Sequence, residues 1–342
     1  MENEATDLPP LISLGCRLPL QRHPQPPPAL PRGAQDRAQP QTRPRRPHDR
    51  HHHRPRSPTL GPPLPARLQW RCRGTALPVV VFFHGGGFAF LSAASLEYDA
   101  VCRRFCRKLS VAVVSVNYRL SPEHRFPAQY DDGLDVLHFL ESNVDIPGGG
   151  LLREFFEAAD LSNCFIAGDS AGANIAHHVA RRWSAGERPS EARIRLSGLV
   201  AIQPFFGGEE RVDSEIRLAH GPVVTTDRTD WLWKAFLPDG ATRDHEAANP
   251  EAAAAELGES FPPVVVMVGE FDPLRDWQLK YFRSLRLRGK KAEIIEYAGA
   301  IHAFYAFPEL KSSAVMIEDL RSFILRETCR RQNGSAVDAV AQ

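Results

Sequence analysis

The sequence predicts an α/β protein in which a mostly parallel central sheet carries helices on both faces. From residue 78 onward, short apolar runs rich in β-branched residues alternate with longer amphipathic stretches. Such alternation builds parallel sheets with right-handed crossovers, whose active sites lie at the carboxyl ends of the strands. The composition agrees, since 43% hydrophobic and 24% charged residues are ordinary for a globular chain. The net charge of +1 gives no global electrostatic reason to expect a nucleic-acid or membrane partner.

Residues 1–72 differ sharply in composition from the rest of the chain. Residues 1–70 contain 16 of the 29 prolines and 11 arginines but no lysine, and Val, Phe and Tyr do not occur before Val79. A segment with so little to bury cannot offset the cost of ordering its backbone. We therefore expect residues 1–72 to be disordered or loosely attached, and residues 73–342 to form the folded domain. The segment also has the composition of GC-rich coding sequence read out of frame, so we do not expect it to be a native part of the fold.

The first elements of the folded part alternate between strand and helix. The run 78–83, together with Leu77, is β-branched and ends at a glycine cluster, which is typical of a buried parallel strand. In residues 97–108 the apolar side chains fall on one helical face, and the run 111–117 predicts the next strand. Two aspartates near the start of 130–143 favour a helix N-terminus there.

The same alternation continues to the end of the chain. A strand at 163–168 leads directly into a helix at 171–183, and the apolar run 194–202 predicts another strand. Residues 207–250 lack a sheet pattern but contain a helix around DRTDWLWKAFL. The remaining predicted elements are strands at 263–269 and 292–297 and helices at 275–288 and 309–327.

The six cysteines do not suggest a metal site. Cys102 and Cys106 are one helical turn apart, but no second pair or nearby histidine completes a set of four ligands, so we expect core thiols. The first 20 residues lack a basic stretch followed by a long apolar run, and no apolar run of about 18 residues predicts a transmembrane helix. These observations predict a cytoplasmic protein without a membrane partner.

The sequence Gly168-Asp169-Ser170-Ala171-Gly172 matches G-x-S-x-G. It lies between a predicted strand and a predicted helix, the context in which a strained turn exposes a nucleophilic serine above the sheet. The plainer interpretation is a strand-to-helix turn with Ser170 as the N-cap. We favour the nucleophile, because residues elsewhere in the chain supply the partners that it needs.

A second glycine-rich turn, His84-Gly85-Gly86-Gly87-Phe88, follows the strand 78–83. Successive glycines allow backbone amides to point into a cavity, where they can stabilise an oxyanion. A phosphate-binding loop is the alternative, but that loop requires a lysine that is absent here. We expect His84 to be structural. The predicted oxyanion donors are the amides of Gly85, Gly86 and Ala171, and the predicted substrate contacts are Gly87, Phe88 and Asp169.

The acid and the base are expected downstream of the serine, in the order Ser, acid, His. Asp272 follows the strand 263–269, and His302 follows the strand 292–297, so both leave the sheet at its carboxyl edge. His302 would take the serine proton, while Asp272 would hold the imidazole in the required tautomer. Asp276 is a rival acid, but it falls within the next helix. His177 and His178 lie in the helix after Ser170, where we expect packing or surface roles.

These motifs together resemble those of the plant carboxylesterases, a group of α/β-hydrolases related to hormone-sensitive lipase. The resemblance covers about residues 76–327 and rests on five blocks in the order of that family: FFHGGGF, NYRLSPEHRFPAQYDDG, GDSAGAN, GEFDPLRD and HAF.

The resemblance implies hydrolysis of short-chain carboxylic esters without a cofactor or metal, with a small-molecule ester as the partner. It also implies that residues 207–250 form a small helical cap over the site, with Trp231, Trp233 and Phe236 as candidate cap residues. Members of the family use the N-terminal stretch for two antiparallel strands and for cap helices. Nothing in residues 1–75 resembles these elements, so we expect the N-terminal strands to be missing.

Other functional classes remain open. Gibberellin receptors share the fold and much of the sequence, but they lack the histidine equivalent to His302 and have HGGS where this chain has Gly87. A related dehydratase activity is not separated by motif, and an inactive or poorly folded variant is a further alternative. The basic run at 43–56 suggests a nucleic-acid-binding tail, but it has no aromatic residues for stacking, so an unstructured tail is favoured. The sequence does not determine the oligomeric state.

Overall fold

A seven-stranded sheet in the order β1-β3-β2-β4-β5-β6-β7 forms the centre of the structure. This computed structural model describes residues 12–14, 76–142 and 150–340, with side chains described at 76–142 and 152–330. All neighbouring strands from β3 to β7 pair in parallel. The strands are β1 (Ile12–Leu14), β2 (Leu77–Phe83), β3 (Ala112–Val116), β4 (Ala159–Asp169), β5 (Leu196–Ile202), β6 (Val264–Phe271) and β7 (Ala292–Ile301).

Helices connect the parallel strands. The connections are α1 (Leu96–Leu109), α2 (Ala128–Ser142), α3 (Leu151–Ala158), α4 (Ala171–Ser184), α5 (Asp213–Arg217), α6 (Thr226–Phe236), α7 (Pro250–Ala253) and α8 (Arg275–Leu287), and α9 (Lys311–Val340) follows β7. The α/β class and the mostly parallel sheet predicted from the sequence are confirmed. The helices α3, α5 and α7 were not predicted, because each is eight residues long or shorter.

The sheet is covered on both faces, and its strands show why their sequences are almost continuously apolar. In β2, Val79 and Val81 pack into the core that contains α2, α4 and α8. Val80 and Phe82 point to the opposite face and pack against α1 and α9. Alternate side chains of one strand therefore enter two different cores, so no strand position can be polar without cost.

The N-terminal segment contributes one short element where the sequence predicted none. β1 pairs antiparallel with β3, with Ile12 opposite Val116 and Leu14 opposite Val114. Strand pairing uses backbone groups, so the unusual composition of residues 1–72 did not exclude it. The rest of that segment lies outside the described residues.

The cysteines differ in part from the expectation of core thiols. Cys102 and Cys164 are buried and free, as expected, and Cys329 is free and exposed. Cys106, however, is disulfide-bonded, so the expectation is wrong for this residue. Sequence spacing cannot show such a bond, because it depends on which residues the fold brings together.

Within the described part of the chain, no helix is both long enough and apolar enough to cross a bilayer.

Candidate active site

Ser170 stands in the turn between β4 and α4 with an unusual backbone conformation, φ 52° and ψ −120°. A non-glycine residue adopts positive φ only where the surrounding structure enforces it. Here the two neighbouring glycines allow the turn to close. A Cβ atom at Gly168 would lie 2.3 Å from the backbone of Gly172, and one at Gly172 would lie 2.0 Å from the carbonyl oxygen of Phe83. The turn therefore has the strained geometry expected of G-x-S-x-G.

We expect Gly172→Ala to prevent stable folding or to reduce stability by at least about 3 kcal/mol, because the new methyl would overlap backbone that cannot move aside. Thermal unfolding followed by circular dichroism measures the change. A matched control is Gly258→Ala, where φ is likewise not positive and the nearest atom to a Cβ, the carbonyl oxygen of Ser184, lies 3.5 Å away in ordinary contact. If Gly172→Ala unfolded at the same temperature as the control, the close packing of the turn against β2 would be contradicted.

Asp272 and His302 meet at the carboxyl end of the sheet, as predicted. The Nδ1 atom of His302 lies 2.7 Å from Oδ2 of Asp272, and both side chains are buried. Burial lowers the pKa of His302, but the charge and hydrogen bond of Asp272 outweigh it, so that the pKa lies above the usual 6.5. A carboxylate that bonds Nδ1 leaves Nε2 of the ring as the atom available to a substrate or nucleophile.

Two glutamines that the sequence analysis missed hold Asp272 in place. Gln278 and Gln203 donate through Nε2 to Oδ2 of Asp272 at 2.8 Å and 2.9 Å. Gln203 also accepts, through Oε1, from the amide of Ala303 at 2.7 Å. It thereby ties the acid to the loop that carries His302. Gln203 directly follows the buried strand β5, and a polar residue in that position was the available signal.

The other acid and the other histidines considered from the sequence make different contacts. Asp276 accepts from the amide of Ser214 at 2.8 Å and pairs with Arg275, so it serves the start of α5. His177 and His178 lie on α4, and both are buried. Burial lowers the pKa of His177 to about 3, and it bonds Tyr281 at 2.9 Å, which agrees with a packing role.

The turn after β2 is held by tyrosines. The hydroxyl of Tyr118 donates to the carbonyl oxygen of His84 at 2.6 Å, and the two rings stack with centroids 4.2 Å apart. Burial lowers the pKa of His84 to about 4, which keeps it neutral. The amide of Gly85 donates to the hydroxyl of Tyr98 at 2.8 Å.

The contact between Gly85 and Tyr98 corrects one sequence prediction. Because the Gly85 amide already has an acceptor, the structure favours the amides of Gly86 and Gly87, with that of Ala171, in place of Gly85. Gly86 and Gly87 have φ of +103° and +62°, so the chain reverses at these two residues and brings them to the wall of the cavity. The sequence HGGG could not show which of its amides is occupied.

A cavity of about 320 Å³ contains Ser170 and His302 in its wall. Its apolar lining comes from the turn after β2, from the end of β5 and from the segment between β5 and β6: Phe90, Leu91, Phe205, Val223, Val224 and Leu232. Of the predicted substrate contacts, Gly87 and Asp169 line this cavity.

Phe88 does not line the cavity, and that prediction is wrong. Its ring is fully buried and stacks on Phe236 of α6, with centroids 3.7 Å apart. Trp233 packs into the same aromatic cluster, whereas Trp231 is 48% exposed and stacks on Phe90. Of the three candidate cap residues, Trp233 and Phe236 therefore anchor α6 to the body of the domain, and Trp231 lies beside the cavity mouth.

No group of three or more metal-ligating side chains occurs within the stretches that the structure describes. The polar residues in the cavity wall are Ser170, His302, Asp169, Tyr98, Arg228 and Thr229, and the backbone of Gly86 and Gly87 also lines it. This set can attack, protonate and stabilise a carbonyl substrate.

The fold and these motifs place the chain in a known family. It belongs to a family with the alpha/beta hydrolase fold, whose sequence model matches residues 80–306. The fold class and the resemblance predicted from the sequence are confirmed.

Curated relatives include both receptors and enzymes. Gibberellin receptor GID1C from Arabidopsis thaliana is 39% identical over 262 residues, covering 76% of this chain and 72% of the receptor. The 3-O-acetylpapaveroxine carboxylesterase CXE1 from Papaver somniferum is 33% identical over 282 residues, covering 80% and 83%. The chain spans from 66% to 83% of the length of such relatives.

Solved structures of esterases share the architecture. An esterase from Pyrobaculum calidifontis has a TM-score of 0.62 at 31% identity, covering 73% of this chain and 76% of that one. The carboxylesterase EstE1, cloned from a metagenomic library, has a TM-score of 0.63 at 27% identity, covering 75% and 81%. These relatives support ester hydrolysis in general.

Proposed function

We propose that this protein is a serine carboxylesterase that hydrolyses short-chain carboxylic esters through an acyl-enzyme on Ser170. The observation that supports it most strongly is the placement of Ser170 and His302 in one cavity wall, with Asp272 2.7 Å behind the histidine. A buried carboxylate bonded to a histidine that shares a cavity wall with a serine in a strained turn is the arrangement typical of acyl-transfer enzymes.

In this proposal, Ser170 Oγ attacks the ester carbonyl carbon while Nε2 of His302 takes the hydroxyl proton. Asp272 stabilises the imidazolium through Nδ1, and the amides of Gly86, Gly87 and Ala171 receive the oxyanion. The tetrahedral intermediate collapses when the alcohol leaves with the proton from His302. A water molecule then gives a proton to His302 and attacks the acyl-enzyme, and the acid is released as His302 returns that proton to Oγ of Ser170.

The cavity supports small substrates. A volume of about 320 Å³ lies at the low end of ligand sites, and the lining is mostly apolar. We expect turnover of p-nitrophenyl esters to fall as the acyl chain lengthens beyond a few carbons. The test is kcat/KM across an ester series from acetate to laurate; a preference for the longest chain would contradict the proposed substrate class.

We expect kcat/KM to fall as the pH decreases through the pKa of His302. The base must be neutral to take the serine proton, and Asp272 holds this pKa above the usual 6.5. The activity should therefore still be rising above pH 6.5 and level off at higher pH. Initial rates on p-nitrophenyl acetate, corrected for spontaneous hydrolysis, measure this. A rate independent of pH between 5 and 8 would argue against a histidine base.

A receptor-like binding function is the second candidate, because four gibberellin receptors match with 37–39% identity. The same protein sample separates the two. Isothermal titration with gibberellin tests binding, and the ester series tests turnover. Binding without turnover would favour the receptor-like function, and turnover that Ser170→Ala abolishes would favour the esterase.

A further inference from the structure

A buried tyrosine and a buried carboxylate connect the nucleophile turn to the glycine turn. Tyr98 of α1 donates its hydroxyl hydrogen to Oδ2 of Asp169 at 3.0 Å. The same hydroxyl oxygen accepts from the amide of Gly85 at 2.8 Å. Asp169 is the residue before Ser170, so one continuous chain of hydrogen bonds runs from the nucleophile turn to the turn that carries Gly86 and Gly87.

The packing around this chain is tight. Asp169 and Tyr98 are 3% and 6% exposed. A Cβ atom at Gly85 would lie 2.4 Å from Oδ2 of Asp169 and 2.8 Å from the hydroxyl of Tyr98. Only glycine therefore leaves room at position 85 for Asp169 and Tyr98 to approach the backbone. The position of the Gly85 amide depends on the position of the Tyr98 hydroxyl that accepts from it.

We propose that Asp169 is a positioning residue that, in its ionised form, aims the oxyanion amides of Gly86 and Gly87 through Tyr98. The inference rests on the proposed ester hydrolysis at Ser170. Tyr98 has a single hydroxyl hydrogen. While Asp169 is ionised it accepts that hydrogen, so the oxygen lone pairs of Tyr98 face the Gly85 amide. A protonated Asp169 accepts this hydrogen more weakly, because the charge-assisted hydrogen bond is lost, so the Tyr98 hydroxyl is held less firmly against the Gly85 amide.

The surroundings of Asp169 allow this change near neutral pH. Burial raises the pKa of Asp169 to about 6, although hydrogen bonds from Tyr305 and Tyr98 and the nearby His302 oppose the rise. Three other titratable side chains lie near Asp169 and Tyr98: Tyr118, His84 and the Cys102 thiol of α1. Burial keeps all three neutral near pH 6, and the pKa values of Tyr98 and Tyr305 are likewise raised by burial, so these neighbours keep their charge while Asp169 and His302 titrate.

The pH profile of the full-length protein is the first test. If both Asp169 and His302 must lose a proton, log kcat/KM will fall with a slope of two below the lower pKa rather than one. Rates on p-nitrophenyl acetate from pH 4.5 to 8 measure the slope. In Asp169→Asn, which keeps the shape of the side chain, the slope will be one. A slope of one in the unmodified protein, or of two in Asp169→Asn, overturns the inference.

The second test removes only the hydroxyl. Because oxyanion contacts form in the transition state, Tyr98→Phe should lower kcat by about tenfold and leave KM within about twofold. The matched control is Tyr297→Phe, since Tyr297 is equally buried and donates to Asp319 at 2.9 Å away from the cavity. Equal kcat in the two variants would overturn the inference. If Ser170→Ala retained hydrolysis, the proposed esterase function itself would fail. If Ser170→Ala were inactive but Tyr98→Phe had the kcat of the unmodified protein, the esterase function would stand and only the role of Asp169 and Tyr98 would be overturned.

Discussion

Ser170→Ala should lose essentially all ester hydrolysis, a decrease of about 10⁶ in kcat if the residue is the nucleophile of an acyl-transfer site. The loss follows from the removal of the oxygen that would carry the acyl group. The side chain is 9% exposed and alanine removes only its hydroxyl, so the fold should remain. A p-nitrophenyl acetate assay measures turnover, and labelling with a fluorophosphonate probe measures the reactivity of the serine.

The control for this experiment is Ser322→Ala, an exposed serine on α9 that bonds only a carbonyl oxygen of its own helix. It should be labelled and should turn over substrate as the unmodified protein does. Undiminished hydrolysis by Ser170→Ala, or labelling that persists in it, would show that the nucleophile is another residue.

Asp272→Asn should lower kcat by about 10⁴, because an amide in this position favours the wrong tautomer of His302. His302, Gln203 and Gln278 all contact Oδ2 of the carboxylate, and Oδ1 accepts from the amide of Leu274 at 2.9 Å. The NH₂ group of an asparagine therefore faces a donor in either orientation. We therefore also expect a lower unfolding temperature. Steady-state kinetics and thermal unfolding of the same sample separate the two effects.

Asp276→Asn provides a matched comparison four residues further on. Its carboxylate lies at the start of α8 and accepts from the amide of Ser214. It should change kcat by no more than about threefold. If Asp276→Asn were the more damaging of the two substitutions, the assignment of Asp272 as the acid would be wrong.

The parts of this fold that the sequence predicted are those with a local cause. Strand β2 is a β-branched run, and the turn at Ser170 needs glycine on both sides, so both are visible in a few consecutive letters. The pairing of Asp272 with His302 was also predictable, because the carboxyl ends of adjacent parallel strands meet at one edge of the sheet.

The parts that were missed depend on contacts between distant segments. Gly85 could not be distinguished from Gly87 until Tyr98, 13 residues away, was found to occupy its amide. Phe88 was expected at the substrate because it follows the glycines, but α6 covers it. The strand β1 has only three residues, too few for any periodic pattern.

The contact between α6 and the glycine turn also constrains how this sequence can evolve. A Cβ atom at Gly87 would lie 2.3 Å from a methyl group of Leu232, and φ at Gly87 is +62°. A side chain at position 87, such as the serine of the receptor-like pattern, therefore requires the Leu232 side chain to shift or to be replaced by a smaller one. The residues that fit at positions 87 and 232 depend on each other, so a change at position 87 is expected to affect the cavity differently when position 232 has changed first.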